Sequence, residues 1–120
     1  MILVDTSVWI DHLRSSNSRL VDLLNTGLVL VHPFVVGEIA LGNIKNRESV
    51  LAGLAGMPQA PNATSQEALS FIETAKLAGL GVGYVDAHLL ASAKLAGAYL
   101  WTRDKRVAAV AKRLGLGHSP

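Results

Sequence analysis

The N-terminal segment constrains the fold most, because a very short apolar run stops at an acidic residue. Residues Ile2–Val4 are apolar without alternation, which is typical of a strand buried on both faces of a sheet. Asp5 follows at once, and a helical pattern begins near Val8. In open α/β folds, ligands bind at the carboxyl edge of the sheet, where this pattern places Asp5. Asp is also a common helix cap, and the segment alone leaves both interpretations open.

Short apolar strands alternate with helical patterns along the chain, which predicts a parallel sheet with helices on both faces. Further strands are expected at 28–31 and 98–102, with at most a short edge strand in the proline-interrupted segment 57–62. Helices are expected at 8–13, 20–24, 33–44, 46–55, 64–77, 84–96 and 105–114. We therefore expect one three-layer α/β/α domain over residues 1–120. Its central parallel sheet should have four or five strands, with the first strand and the 98–102 strand adjacent at its centre.

Three helices carry local features that predict their surroundings or their ends. The helix expected over 33–44 is apolar around most of its circumference, so it should be largely buried. Asn46 is suited to cap the next helix. Thr64 and Glu67 have the spacing of a capping box at the start of the helix that follows.

Composition restricts the class of protein. Half of the 120 residues are hydrophobic and 17% are charged, and we expect part of this apolar excess to face a partner chain. The absence of cysteine excludes a disulfide framework and a thiolate zinc site. No apolar run reaches the roughly 18 residues of a membrane span, and no export signal is evident, so a cytoplasmic protein is expected. The net charge of +2 favours a polyanionic partner only weakly.

Four of the nine acidic residues lie where an acid is unexpected. Asp5 and Asp104 each end an apolar strand, whereas Glu38 and Asp86 lie within apolar helices. No basic residue stands three or four positions from Glu38 or Asp86. Helix capping and ion pairing with distant residues are the structural alternatives. Since a buried ionised carboxylate is costly unless it is paired or binds a metal, we predict that the four converge at the carboxyl edge of the sheet.

A cluster of carboxylates without cysteine or paired histidine is an oxygen-only site, which prefers Mg²⁺ or Mn²⁺. Such an ion can activate water and offset the charge that develops on phosphate oxygens, so the cluster suits phosphodiester hydrolysis. The histidines form no competing site: His88 is two residues from Asp86 and points to another face, and the others are scattered. A Ser-His-Asp site built on Ser7 would lack the strained, glycine-flanked turn of a nucleophile.

Four stretches, in order, resemble the PIN-domain ribonucleases, specifically the toxins of VapBC-type toxin–antitoxin pairs. They are residues 3–10, 35–41, 84–91 and 100–104. The resemblance implies catalytic and metal-binding roles for Asp5, Glu38, Asp86 and Asp104. It also implies supporting hydroxyls at Thr6 or Ser7 and at Thr102. The activity implied is Mg²⁺- or Mn²⁺-dependent cleavage of single-stranded or looped RNA, inhibited by a small VapB-like antitoxin.

Two departures from the family pattern stand out. Many relatives carry a further Asp two residues after the position of Asp104, where this chain has Arg106, and this change is expected to weaken a second metal site. Relatives often have Ser or Thr where His32 precedes Pro33, and this change is expected to alter only the helix cap.

Partner surfaces follow from the resemblance and from the apolar excess. We expect a homodimer that also binds an antitoxin in an apolar groove formed by the first two helices (8–25) and the 46–55 helix. A basic side chain of the antitoxin would reach the acids and compete with the metal. The candidates for RNA binding are the basic residues Lys45, Arg47, Arg103, Lys105 and Arg106.

Two other classes of protein compete with this assignment. A phospho-acceptor receiver domain has this length and an acidic Mg²⁺ pocket, but it needs an acidic pair at the end of the first strand, a central strand ending in Asp and a Lys after the last strand. Here Asp5 is followed by Thr6, the middle region is rich in proline, and no such central Asp appears. A non-catalytic RNA-binding or scaffold module of the same fold is the second. A metal-dependent cleavage assay discriminates that module from an enzyme.

Overall fold

A computed structural model describes all 120 residues, and strands alternate with helices along the chain as predicted. The elements are β1 (Ile2–Val4), α1 (Thr6–Ser15), α2 (Ser18–Asn25), β2 (Val29–Leu30), α3 (Pro33–Leu41), α4 (Arg47–Ala55), α5 (Ser65–Thr74), α6 (Tyr84–Ala96), β3 (Tyr99–Trp101) and α7 (Lys105–Arg113). None of these helices combines the length and the apolar character needed to span a membrane.

The sheet is parallel, and β1 lies at its centre between β2 and β3. Leu3 is paired with Leu30 on one side and with Leu100 on the other. All three side chains of β1 are buried. Because successive side chains of a strand point to opposite faces, both faces of the sheet are covered. The predicted adjacency of the first and last strands is confirmed, but only β1 is central, because β3 lies at an edge of the sheet.

The prediction of four or five strands is wrong, because the sheet has three. The segment 57–62 contributes only a single bridge, from Gln59 to Val31, and the C-terminal segment only one, from Gly117 to Leu100. Pro58 and Pro61 stand on either side of that first bridge and lack the N–H groups that a longer ladder requires.

Two helices end earlier than predicted. Helix α3 stops at Leu41 rather than at residue 44. At this end of the helix, the guanidinium of Arg47 donates hydrogen bonds to the carbonyl oxygens of Ala40 and Gly42. Helix α5 stops at Thr74 rather than at residue 77, and Lys76 then takes a left-handed conformation with φ 54°. The predicted capping box of α5 is present in both directions. Asn46 precedes α4 as predicted, but its side chain makes no capping hydrogen bond.

Helix α3 is more exposed than its sequence suggests. Only Val35 and Ile39 within it are buried, whereas Glu38 is exposed and Leu41 is 90% exposed. The helix packs against α1 and α4, and its other side faces solvent. The expectation of a largely buried helix is therefore wrong, because an apolar sequence does not specify which apolar side chains find protein neighbours.

His32 both caps α3 and links it to α6. Its Nδ1 accepts a hydrogen bond from the Phe34 N–H at 3.0 Å, and its Nε2 lies 3.1 Å from Ser92 Oγ. Since Nδ1 is an acceptor, the neutral ring carries its proton on Nε2 and donates it to Ser92. Burial and, to a smaller extent, the nearby charge of His88 lower the pKa of His32 to about 4. His32 thus does more than alter the cap.

The lowered pKa of His32 predicts a loss of stability in mild acid. Between pH 6.5 and about 4, His32 takes up a proton in the unfolded chain but not in the folded one. Its contribution to the free energy of unfolding is complete above pH 6.5 and falls by at most about 1.4 kcal/mol per pH unit below it. His32→Asn keeps a capping acceptor without a titrating ring, so denaturant unfolding should show a shallower pH dependence in this window. If the variant and the parent show the same pH dependence, His32 does not have the lowered pKa.

Candidate active site

Asp5 is the centre of the site and is only 7% exposed. Its Oδ1 accepts a hydrogen bond from the Thr6 N–H at 2.8 Å. Its Oδ2 accepts one from Ser7 Oγ at 2.8 Å and one from Thr102 Oγ1 at 2.7 Å. Because Asp5 directly follows β1 and Thr102 directly follows β3, the last bond joins the carboxyl ends of two adjacent strands. The three donors balance a carboxylate that would otherwise be costly to bury.

Asp104 is held beside Asp5 by the same hydroxyl. Thr102 Oγ1 accepts a hydrogen bond from the Asp104 N–H at 3.1 Å, and Ser7 Oγ accepts one from the Arg103 N–H at 3.0 Å. The carboxylate of Asp104 accepts from the N–H groups of Arg106 and Val107, so it caps α7. The segment after β3 is therefore bonded to the first turn of α1.

The other two acids approach the site from different helices. Glu38 Oε1, on α3, accepts a hydrogen bond from Thr6 Oγ1 at 2.7 Å. Asp86, in the first turn of α6, is partly buried, and its Oδ2 accepts from the Gly83 N–H at 3.1 Å. Glu38 and Asp104 are both exposed, so the expectation that these acids occupy buried positions is wrong for them. All three predicted supporting hydroxyls bond directly to one of the acids.

The pKa of Asp86 is raised, in part by the charges of the other three acids. Burial raises this pKa most, while the hydrogen bond from Gly83 lowers it. The negative charges of Asp5, Asp104 and Glu38 raise it further. The structure therefore brings all four predicted acids within electrostatic reach at one edge of the sheet.

Capping and clustering occur together at this site. Asp5 and Asp104 occupy the N-cap positions of α1 and α7, and Asp86 bonds the N-terminal N–H of α6. Three helices thus begin at the cluster, and the partial positive charge of each N-terminus offsets part of the repulsion among the carboxylates. Only Glu38 lies in the middle of a helix, and it is the acid for which capping offers no explanation.

The donor set suits a hydrated divalent ion better than a complete protein cage. As the side chains stand, no three His, Asp or Glu residues converge closely enough to hold a metal ion by themselves. Mg²⁺ usually binds through one or two carboxylates and retains several waters, so it does not require three direct protein ligands. Four coupled acids with only oxygen donors fit that chemistry.

No histidine joins the acids. Ser7 bonds to Asp5 and to the Arg103 backbone, which leaves no Ser-His pair. His88 is buried, with its ring 4.8 Å from that of Phe34 and 4.7 Å from that of Tyr84 between centroids, and its Nδ1 has no hydrogen-bond partner. Its surroundings are aromatic rather than acidic.

Two of the five candidate RNA-binding residues are engaged by the protein itself. Arg103 forms an ion pair with Asp11 of α1 at 2.5 Å, and Arg47 binds the C-terminal carbonyls of α3. Lys45, Lys105 and Arg106 are exposed. Sequence reasoning missed Asp11 and the Gly83 amide. Asp11 stands four residues after Ser7 on α1, but nothing in the sequence identifies Arg103 as its partner.

Residues 2–113 match the PIN domain family, and the chain belongs to that family. It is also 50% identical over 117 residues to Ribonuclease VapC32 of Mycobacterium tuberculosis, over 97% of this chain and 94% of that protein. The family assignment made from the sequence is therefore confirmed, and the receiver domain is excluded.

Two solved structures share the fold. FitAcB from Neisseria gonorrhoeae matches with a TM-score of 0.64 and 25% identity, over 93% of this chain and 94% of that chain. PAE2754 from Pyrobaculum aerophilum matches with a TM-score of 0.60 and 16% identity, over 91% of this chain and 83% of that chain, which supports the fold alone.

Neutralising Asp86 should not destabilise the metal-free protein. Its raised pKa means that stability present at low pH is lost as Asp86 ionises, so the full penalty applies at neutral pH. Asp86→Asn removes the charge and keeps an acceptor for the Gly83 N–H. We expect its melting temperature in EDTA to equal or exceed that of the parent, and its upshift with Mn²⁺ to be smaller.

The matched control for this measurement is Glu73→Gln, which neutralises an exposed acid on α5. The control should leave the Mn²⁺ upshift unchanged. A lower melting temperature for Asp86→Asn in EDTA together with an undiminished Mn²⁺ upshift would show that Asp86 is structural.

Proposed function

We propose that this chain is a metal-dependent endoribonuclease and the toxin of a type II toxin–antitoxin pair. The observation that carries the proposal is the electrostatic coupling of Asp86 to Asp5, Glu38 and Asp104 at the carboxyl edge of the sheet. The identity to Ribonuclease VapC32 supports RNA as the substrate class. The rival is a non-catalytic module that retains the fold.

In this proposal the residues that would hold Mg²⁺ or Mn²⁺ are Asp5, Glu38, Asp86 and Asp104. The ion, when bound, activates water and offsets charge on the phosphate oxygens. Asp5 is oriented by three donors, so its carboxylate cannot rotate freely. Thr6 likewise orients Glu38 from the first turn of α1. Such fixed geometry is what a site needs to position an ion against a phosphodiester.

RNA must approach an acidic cluster, so nearby positive charge is required to hold it. Phosphate contacts from Lys and Arg supply most of the affinity of non-specific nucleic-acid binding. We propose that the exposed basic residues Lys45, Lys105 and Arg106 contribute to this binding. Arg47 and Arg103 could contact RNA only through guanidinium N–H groups that do not bond to their protein partners.

Loss of Glu38 should abolish cleavage. Glu38→Ala is expected to reduce cleavage of a labelled single-stranded RNA by more than the roughly 10–100-fold that loss of an outer-shell partner costs. Thr6→Val removes the hydrogen bond to Glu38 and should fall within that smaller range. Glu73→Ala, at an exposed acid of α5 outside the cluster, should cleave as the parent does, and EDTA should stop all cleavage.

Melting temperatures in EDTA distinguish a ligand from a scaffold residue. If Glu38 is a metal ligand, Glu38→Ala should be as stable as the parent without metal, because crowded carboxylates repel one another. A variant that melts well below the parent in EDTA and still cleaves RNA would show that Glu38 is scaffold.

The structure offers one groove suited to the proposed antitoxin. A cavity of about 530 Å³ lies between α1, the α3–α4 connection and α4, with Ile10, Leu13, Ile44 and Val50 among its lining residues. Arg14 and Lys45 also line it. We propose that an amphipathic helix of the antitoxin binds here. Helix α2 does not line the groove, so that part of the expected surface is not supported.

We also propose a homodimer, because α3 exposes an apolar surface beside the acids. Leu41 is 90% exposed, and Pro33, Phe34, Gly37 and Val85 line the same shallow pocket as Glu38. Light scattering at micromolar concentration should give twice the chain mass of 12.7 kDa. Leu41→Lys should shift the protein toward monomer, whereas Leu69→Lys, at another exposed leucine on α5, should not. Only monomer in the parent would contradict the dimer.

A further inference from the structure

The side chain of Arg106 lies directly on the backbone of Gly81. A Cβ atom built on Gly81 would stand 2.6 Å from Arg106 Nη1 and 3.0 Å from Arg106 Cδ. The first distance is shorter than real Cβ contacts, so a larger residue at position 81 would displace the end of the Arg106 side chain from where it lies. Gly81 also has a φ of +76°, in the left-handed region that favours glycine.

The guanidinium of Arg106 has no partner in the protein. The single ion pair of the chain joins Arg103 to Asp11. The hydrogen bond of Arg106 runs through its backbone N–H, which donates to Asp104 Oδ1. The guanidinium is therefore positively charged, and its donors are not used by the protein.

The Arg106 side chain lies between the helices that begin at Asp104 and near Asp86. Arg106 lies in the first turn of α7, whose N-cap is Asp104. Gly81 stands two residues before Gly83, whose N–H bonds to Asp86 at the start of α6. The side chain thus crosses between the N-termini of the two helices that carry Asp104 and Asp86.

Resting on the proposed function, we propose that Arg106 binds a phosphate of the RNA strand adjacent to the phosphate that is cleaved, and that Gly81 provides the space in which it does so. A guanidinium presents several N–H donors in one plane and pairs with phosphate through two parallel hydrogen bonds. Its donors are unused by the protein, and Arg106 stands two residues after Asp104 without an ion pair to any acid. Arg106 is therefore a substrate-binding residue in a position where a further carboxylate would repel RNA.

The first test measures binding and turnover of a fluorescently labelled single-stranded RNA. Arg106→Ala should raise KM several-fold with kcat unchanged. In the cleavage-silent Glu38→Ala background, it should reduce the slope of log affinity against log salt by about 0.7, the value for one phosphate contact on a single strand. Arg106→Lys, which keeps the charge, should retain most of the slope. Lys112→Ala removes the same charge from the far end of α7 and should have little effect.

The second test uses the two glycines of the same loop. Gly79 and Gly81 have nearly equal φ angles, +77° and +76°, but no atom lies within 4 Å of a Cβ built on Gly79. Gly79→Ala and Gly81→Ala therefore introduce similar backbone strain, and only the second displaces Arg106. Gly81→Ala should weaken RNA binding as Arg106→Ala does and should add nothing in the Arg106→Ala background. Gly79→Ala should bind RNA as its parent does.

Other results would contradict either the phosphate contact of Arg106 or the nuclease function. A kcat that falls at constant KM in Arg106→Ala would show that Arg106 positions Asp86 rather than RNA. An effect no larger than that of Lys112→Ala, or additive effects of Gly81→Ala and Arg106→Ala, would also overturn the phosphate contact. A parent that binds RNA through Arg106 without cleaving it would refute the nuclease alone, and a parent that does not bind RNA would refute both.

Discussion

The hydrogen bond from Thr102 to Asp5 is the interaction on which the site depends. It connects the residue that follows β3 to the residue that follows β1, and it lies at the edge where both strands end. The same hydroxyl accepts the Asp104 N–H, while Ser7 bonds to both Asp5 and the backbone of Arg103. A buried carboxylate that lost these donors would be costly. One hydrogen-bond network therefore fixes the positions of two acids at the point where the paired strands β1 and β3 end.

The fold offsets part of the electrostatic repulsion among the clustered carboxylates. The charges of Asp5, Glu38 and Asp104 raise the pKa of Asp86 and so disfavour its ionised form, yet three helices begin among these acids. Their N–H groups bond to Asp5, Asp86 and Asp104. The same residues thus contribute to helix initiation and to a candidate metal site. For these three acids, capping and clustering are complementary roles rather than alternatives.

Much of this arrangement could be predicted from short-range patterns, and the parts that could not depend on distant side chains. The strand at β1, the helix at α6 and the convergence of Asp5 with Asp104 follow from local pattern and from parallel topology. The end of α3 is set by Arg47, which folds back onto its carbonyl groups. The exposure of Leu41, the ion pair of Arg103 and the contact of Arg106 with Gly81 all depend on tertiary packing. The sequence predicts too many strands because segment 57–62, which is allowed as a short edge strand, forms only a single bridge between its two prolines.

The separation of Asp5 from Thr102 along the chain also has a consequence for biosynthesis. These two residues are 97 positions apart, and β1 pairs with β3 only once residues 99–101 exist. During synthesis β1 is made well before β3, the strand that pairs with its other edge. Every nascent chain that stops before residue 102 therefore lacks Thr102 and Asp104, and with them the completed cluster. The order of translation itself keeps the acid site from forming until residue 104 has been made.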